Sequence, residues 1–170
     1  MRLVRVALLG AAAAGWAAWL AVVPAVAGSA SSGPAVWAAA VTYRAGGVIC
    51  HQQDARSLHV AGVRMPVCSR CFGLYAGAAA GVTGAFAWLT LRRRRPAGQV
   101  RLPLTRSRWA VIASGVPTLL AWMGEHVAGL AVPDVPRALA AVPLGAAIAA
   151  IVALWAGGAT FDDAPESALH

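Results

Sequence analysis

Residues 71–91 read CFGLYAGAAAGVTGAFAWLTL and are followed at once by the four arginines Arg92–Arg95 and then Pro96. The run carries no charge and is long enough to cross a hydrocarbon core of about 30 Å. The arginines and the proline stop it. Within it Gly73, Gly77 and Gly81 recur at every fourth position, which puts them on one helical face and allows a second helix to approach closely. The fold expected from this stretch is an all-α membrane bundle.

The rest of the chain agrees with that reading. Of its 170 residues 59 % are hydrophobic and only 12 % are charged, whereas soluble domains average about 45–50 % apolar and about 25 % charged. The formal net charge is +8, and every cationic side chain other than histidine is arginine. In a soluble protein that excess would point to nucleic acid. Here half of the arginines fall between Arg92 and Arg108, between two apolar runs, where they act as a topological signal. The lipid bilayer is the expected partner, and no nucleic acid is expected. The arginine-only, alanine-rich usage points to a bacterium.

Outward from 71–91, three further runs have the length and composition of spans: about 6–27, 109–132 and 138–159. One membrane domain, 1–170, with four transmembrane helices is therefore expected, with Pro117 as a kink and Pro133–Pro136 as a tight turn. Ala25-Val26-Ala27 before Gly28 also fits a signal-peptide cleavage site, but the length of the first run and its Trp16 and Trp19 favour a retained helix. Gly28–Pro34 is a small-residue linker, and 35–49, with Trp37, Tyr43 and Arg44, suits a helix lying in the interface. A short hairpin of 57–61 and 63–67 is expected about Gly62. Arginine density places the start, the 92–108 loop and the short acidic tail, expected to be mobile, in the cytoplasm, and loop 28–70 outside it. The location expected is the bacterial inner membrane, with both termini cytoplasmic.

Loop 28–70 and the start of the second span hold all the cysteines: Cys50, Cys68 and Cys71. Cys68 and Cys71 form a C-x-x-C pair at a helix start, where i and i+3 share a face and the helix dipole and Arg70 favour thiolate. With Cys50 and His51 they make a Cys3His set of the kind tetrahedral zinc accepts. The leading expectation is thus a metal site of Cys50, His51, Cys68 and Cys71, structural or regulatory, for zinc or another transition metal. The rival is a thiol–disulfide oxidoreductase passing electrons from Cys68 and Cys71 to a quinone between the helices, since thiols outside the cytoplasm are usually oxidised or metal-bound. The third reading is structural, with a static disulfide or three buried thiols.

Glu125 and His126 lie within an apolar run, where an ionisable side chain needs a partner or a function. Either could supply a fourth ligand or accept a proton. Alternatively, Glu125 pairs with Arg137 or Arg56. Transport of a small solute or ion along Glu125 is a lesser reading. Tyr75, four residues beyond Cys71, shares its face and is expected to pack beside the site, with Arg56 and Arg70 as further supporting residues. His59 is expected to be an exposed loop histidine.

Cys50-His51-Gln52, Arg56-Ser57, Gly62 and Pro66-Val67-Cys68-Ser69-Arg70-Cys71-Phe72-Gly73-Leu74-Tyr75 together resemble the small bacterial membrane proteins of the "domain of unknown function 2085" family. Its pattern is C-H-Q-x-P-E-R-S followed by C-x-R-C-x-G-x-Y. Further on, Glu125, Arg137 and Gly145 resemble an intramembrane acid and a later arginine before a glycine-bearing helix. This chain has Asp54-Ala55 where Pro-Glu is usual. The resemblance implies an integral membrane protein in which Cys50, His51, Cys68 and Cys71 act as one unit.

Overall fold

The computed structural model describes residues 1–29, 32–92 and 101–162. Residues 93–100 of the arginine-rich loop and the acidic tail from 163 onward lie outside them. Five α-helices dominate the described residues: α1 (Arg2–Ser29), α2 (Pro34–Ile49), α3 (Ser69–Arg92), α4 (Leu104–His126) and α5 (Asp134–Ala156). Between α2 and α3 lie a single 3-10 turn, Asp54–Arg56, and a hairpin of β1 (His59–Val60) and β2 (Val63–Arg64). The strands pair antiparallel, His59 opposite Arg64, and are shorter than expected: the Met65 N–H still reaches the Leu58 carbonyl at 2.8 Å, but Pro66, without an N–H, ends the ladder, and Met65, Pro66 and Val67 are buried.

Three helices, α1, α3 and α5, are long and apolar enough to cross a membrane. The fourth expected span, α4, has the length but is less apolar. Its sequence begins with Arg106 and Arg108, ends on Glu125 and His126, and is interrupted by Ser107, Ser114 and Thr118. It also begins five residues before, and stops six residues short of, the expected 109–132. The stop has a local cause: Gly129 adopts φ +65°, so that the Leu130 N–H turns back to the Gly124 carbonyl at 2.9 Å.

The core of the bundle is the pair α3–α5, with α1 against α3 and α4 against α5. The glycine series on α3 sets this geometry. A Cβ on Gly73, Gly77 or Gly81 would fall 2.0–2.2 Å from the carbonyl oxygens of Ala138, Val142 and Ala146, and one on Gly145 of α5 would fall 2.1 Å from that of Leu74. The two backbones therefore touch, as small residues permit between helices in lipid. On α1, the Trp19 indole N–H donates to Thr42 Oγ1 of α2 at 2.9 Å, fixing α2 along the second half of α1.

At the opposite end from the hairpin, β3 (Arg101–Leu102) pairs in parallel with β4 (Thr160–Phe161). The approach to α4 and the exit from α5 thus lie side by side. A Cβ on Gly158 would meet the Arg2 guanidinium, so the start of α1 is at this end too.

Candidate metal centre

The cysteine cluster is assembled where α2 ends and α3 begins. Cys50 caps α2: its N–H closes the last turn on Gly46 O at 2.9 Å while its own backbone is already extended, φ −143° and ψ 138°. Gln52 follows in the left-handed region, φ 46°. Its amide nitrogen donates to the carbonyls of Tyr43 at 2.7 Å and Pro66 at 2.6 Å. This one side chain ties the end of α2 to the segment that enters α3. The Tyr43 hydroxyl adds a short bond to the Arg64 carbonyl.

Cys68 stands immediately before α3, its carbonyl accepting the Phe72 N–H at 2.9 Å, and Cys71 lies in the first turn. The sulfurs of Cys50, Cys68 and Cys71 all lie within 4.8 Å of one another, and all three cysteines are free thiols. The Cys50 sulfur accepts the Cys68 backbone N–H at 3.2 Å. The Cys71 thiol donates to the Cys68 sulfur, with further bonds from the backbone N–H groups of Cys71 and Arg70 and from the Cys50 thiol; together these outweigh burial and bring the Cys68 thiol down to about 5. Leu20, Met65 and Val67 form the buried bed, with Phe72 and Tyr75 at its side. The Trp16 ring meets Tyr75 edge-on at 6.2 Å, linking α1 to the site.

Above the sulfurs opens a cavity of about 410 Å³, whose wall includes His51, Arg56, Arg70 and Arg137. Beside it runs an ionic belt. Arg137 Nε donates to Glu125 at 2.6 Å, its NH1 to Asp134 at 2.5 Å and its NH2 to the Val132 carbonyl at 2.6 Å. Arg70 reaches the other Glu125 oxygen at 3.4 Å. The Ser69 hydroxyl lies 2.6 Å from the Arg56 carbonyl and 2.8 Å from Asp134, so it joins the cysteine loop to the α5 start.

The residues singled out in the sequence are distributed unevenly about this centre. The three cysteines converge. His51 is exposed and shares the cavity wall, but its ring nitrogens stand outside the cluster of sulfurs. Tyr75 packs beside Cys71, and Glu125 belongs to the ionic belt with Arg137 and Arg70. His126 turns away, stacked on Trp122 at 4.7 Å, with Nδ1 3.0 Å from the Trp122 carbonyl. His59 pairs with Asp54 at 3.3 Å on the exposed side of the hairpin. Gln52, Ser69 and Asp134 carry structural roles that the sequence reading did not assign. Gln52 and Ser69 did lie inside the quoted motif, and Asp134 opens a helix three residues before Arg137.

A mostly helical chain with three helices fit to cross a membrane and three clustered thiols is a multi-pass membrane protein with a cysteine centre able to hold a metal ion. The family described as "Predicted membrane protein (DUF2085)" matches residues 50–151, and the chain belongs to it. Over 40 residues it is 45 % identical to the uncharacterized protein MJ1492 of Methanocaldococcus jannaschii, a match covering 24 % of this chain and 26 % of that protein. The match thus spans about a quarter of that relative's length. No solved structure matches.

Proposed function

We propose that this is a four-span protein of the bacterial inner membrane that holds a transition-metal ion, zinc or a similar thiophilic ion, at an extracytoplasmic centre of Cys50, Cys68, Cys71 and His51, in a structural or regulatory role. The observation that carries the reading is the convergence, within 4.8 Å, of sulfurs from two segments separated by the whole hairpin. Tetrahedral zinc with Zn–S bonds of about 2.3 Å sets its sulfurs about 3.8 Å apart, so a contraction of about 1 Å closes the site. The N–H groups directed at the Cys50 and Cys68 sulfurs are the outer-shell donors that thiolate ligands require. His51, next to Cys50, lines the same cavity and would serve as fourth donor. When bound, the ion would supply a cross-link between α2 and α3.

The fourth span in this reading is α4. Trp109, Ile112, Val116, Leu119, Leu120 and Met123 are exposed along it, an apolar surface that suits lipid. The start of α1, the approach to α4 and the exit from α5 share one end of the bundle, and arginine density supports placing that end in the cytoplasm.

Metal analysis of the detergent-purified protein tests the centre. About one equivalent of zinc is expected, falling below about 0.2 in Cys68→Ser; a wild-type value as low as that sinks the reading. The low Cys68 thiol beside Cys71 favours one second reading, a disulfide pair that passes electrons to a quinone. Thiol trapping in intact cells separates the two: a redox pair shifts between reduced and oxidised forms on quinone depletion, whereas a metal centre does not. Transport along Glu125 would need a free carboxylate, and this one is bonded to Arg137 and Arg70.

A further inference from the structure

The geometry points to a second ligand beside the sulfurs: a small oxyanion of the phosphate type, held between the guanidinium groups of Arg56 and Arg70. Arg56, Arg70 and Arg137 all line the cavity of about 410 Å³, a volume in the range of small-ligand sites. The carboxylates bonded to these three arginines are two, Glu125 and Asp134, and with the Cys68 sulfur on the same wall what sets the arginines apart is their hydrogen bonding rather than a surplus of charge.

The three guanidinium groups are not bonded alike. Arg137 has Nε, NH1 and NH2 all committed to protein acceptors. Arg70 touches Glu125 through one terminal nitrogen at 3.4 Å, and its Nε is buried without a hydrogen-bond partner. Among the described residues no carboxylate is bonded to the Arg56 guanidinium. A buried cationic N–H without an acceptor is rare in folded proteins, and it shows that Arg70 is less fully bonded than Arg137. A guanidinium fork matches two oxygens of a tetrahedral anion, and His51 and Gln53 on the same wall can donate to a third. The subsite is built from arginines rather than sulfurs, so it does not depend on a metal at the cysteines.

Equilibrium dialysis of the purified full-length protein in detergent against radiolabelled inorganic phosphate, at low ionic strength, tests it. Saturable binding near one equivalent is expected. Arg56→Gln should weaken it by about tenfold or more, the worth of one hydrogen bond to a charged group, while keeping the wild-type melting temperature because no protein carboxylate holds that guanidinium. Arg70→Lys, which keeps the charge but loses the planar guanidinium fork, should weaken it severalfold, and Arg44→Gln on α2 should leave it unchanged. Metal-stripped protein and Cys68→Ser should both still bind. Glycerol phosphate, the soluble part of a phospholipid headgroup, is the competing arm: displacement of the bound phosphate assigns a headgroup as the source, and failure to displace it assigns the free anion. The inference is overturned by absence of saturable binding, by an Arg56→Gln affinity within twofold of wild type, or by loss of binding in Cys68→Ser.

Discussion

Arg137 Nε meets Glu125 Oε1 at 2.6 Å across the turn joining α4 to α5, with 7 % and 5 % of the two side chains exposed. The bond is the polar link between these helices at the cavity end, and Arg137 extends it to Asp134. Glu125→Gln should leave the buried Arg137 guanidinium with the partly exposed Asp134 as its remaining bonded carboxylate, at a cost of about 1–3 kcal/mol. The check is thermal unfolding in detergent. A double variant, Glu125→Gln with Arg137→Met, should lose less than the sum of the two single variants.

Gly77 and Gly84 lie two turns apart on α3 and should respond oppositely to alanine. A Cβ on Gly77 would fall 2.2 Å from the Val142 carbonyl, while one on Gly84 meets nothing within 4 Å. Gly77→Ala should destabilise by about 1–3 kcal/mol through overpacking. Gly84→Ala should be neutral or stabilise by up to about 1 kcal/mol through helix propensity. Melting temperatures of the two proteins in one detergent decide it.

Gln52 touches no sulfur, yet its amide joins the Tyr43 and Pro66 carbonyls and so sets Cys50 against Cys68. If the cluster holds zinc, Gln52→Ala should weaken the affinity by about 10–100-fold, the usual effect of losing an outer-shell support. Titration against a chromogenic chelator measures this. An unchanged affinity would show that the hairpin alone positions the sulfurs.

In metal-free protein the Cys68 thiol, lowered from 9.0 to about 5, should remain thiolate across the neutral range. The sign follows from the depressed folded value. The associated stability is present in full above about 9, the unfolded value, and is lost as pH falls through about 5. Alkylation of Cys68 by iodoacetamide, followed by mass spectrometry, should therefore hold a plateau from about pH 9 to 6 and decline only near pH 5. An ordinary thiol would already have slowed below about pH 8.

Three of the helices were legible because charge-free runs of membrane length leave little else to form. Their ends were less so: α3 begins at Ser69 rather than Cys71 and α5 at Asp134 rather than Ala138. Apolar counting finds hydrocarbon, whereas backbone hydrogen bonding continues through the charged flanks. The end of α4 depended on the backbone of Gly129, which composition does not reveal. At the site, cysteine spacing brought out the right three residues, since a C-x-x-C at a helix start and a third cysteine at another helix end have few ways to meet. The different fates of Glu125 and His126 follow from the roughly 100° that separates adjacent helical side chains, and only the packing of α4 on α5 says which one faces inward.

The backbone-to-backbone seam of α3 and α5 has one more consequence. Over three turns, carbonyl oxygens occupy the places where side chains would begin, so no bore runs between these two helices for even a file of water. Along that side the cavity over the sulfurs is a cup with a sealed floor. Whatever enters the cavity finds no way onward between α3 and α5.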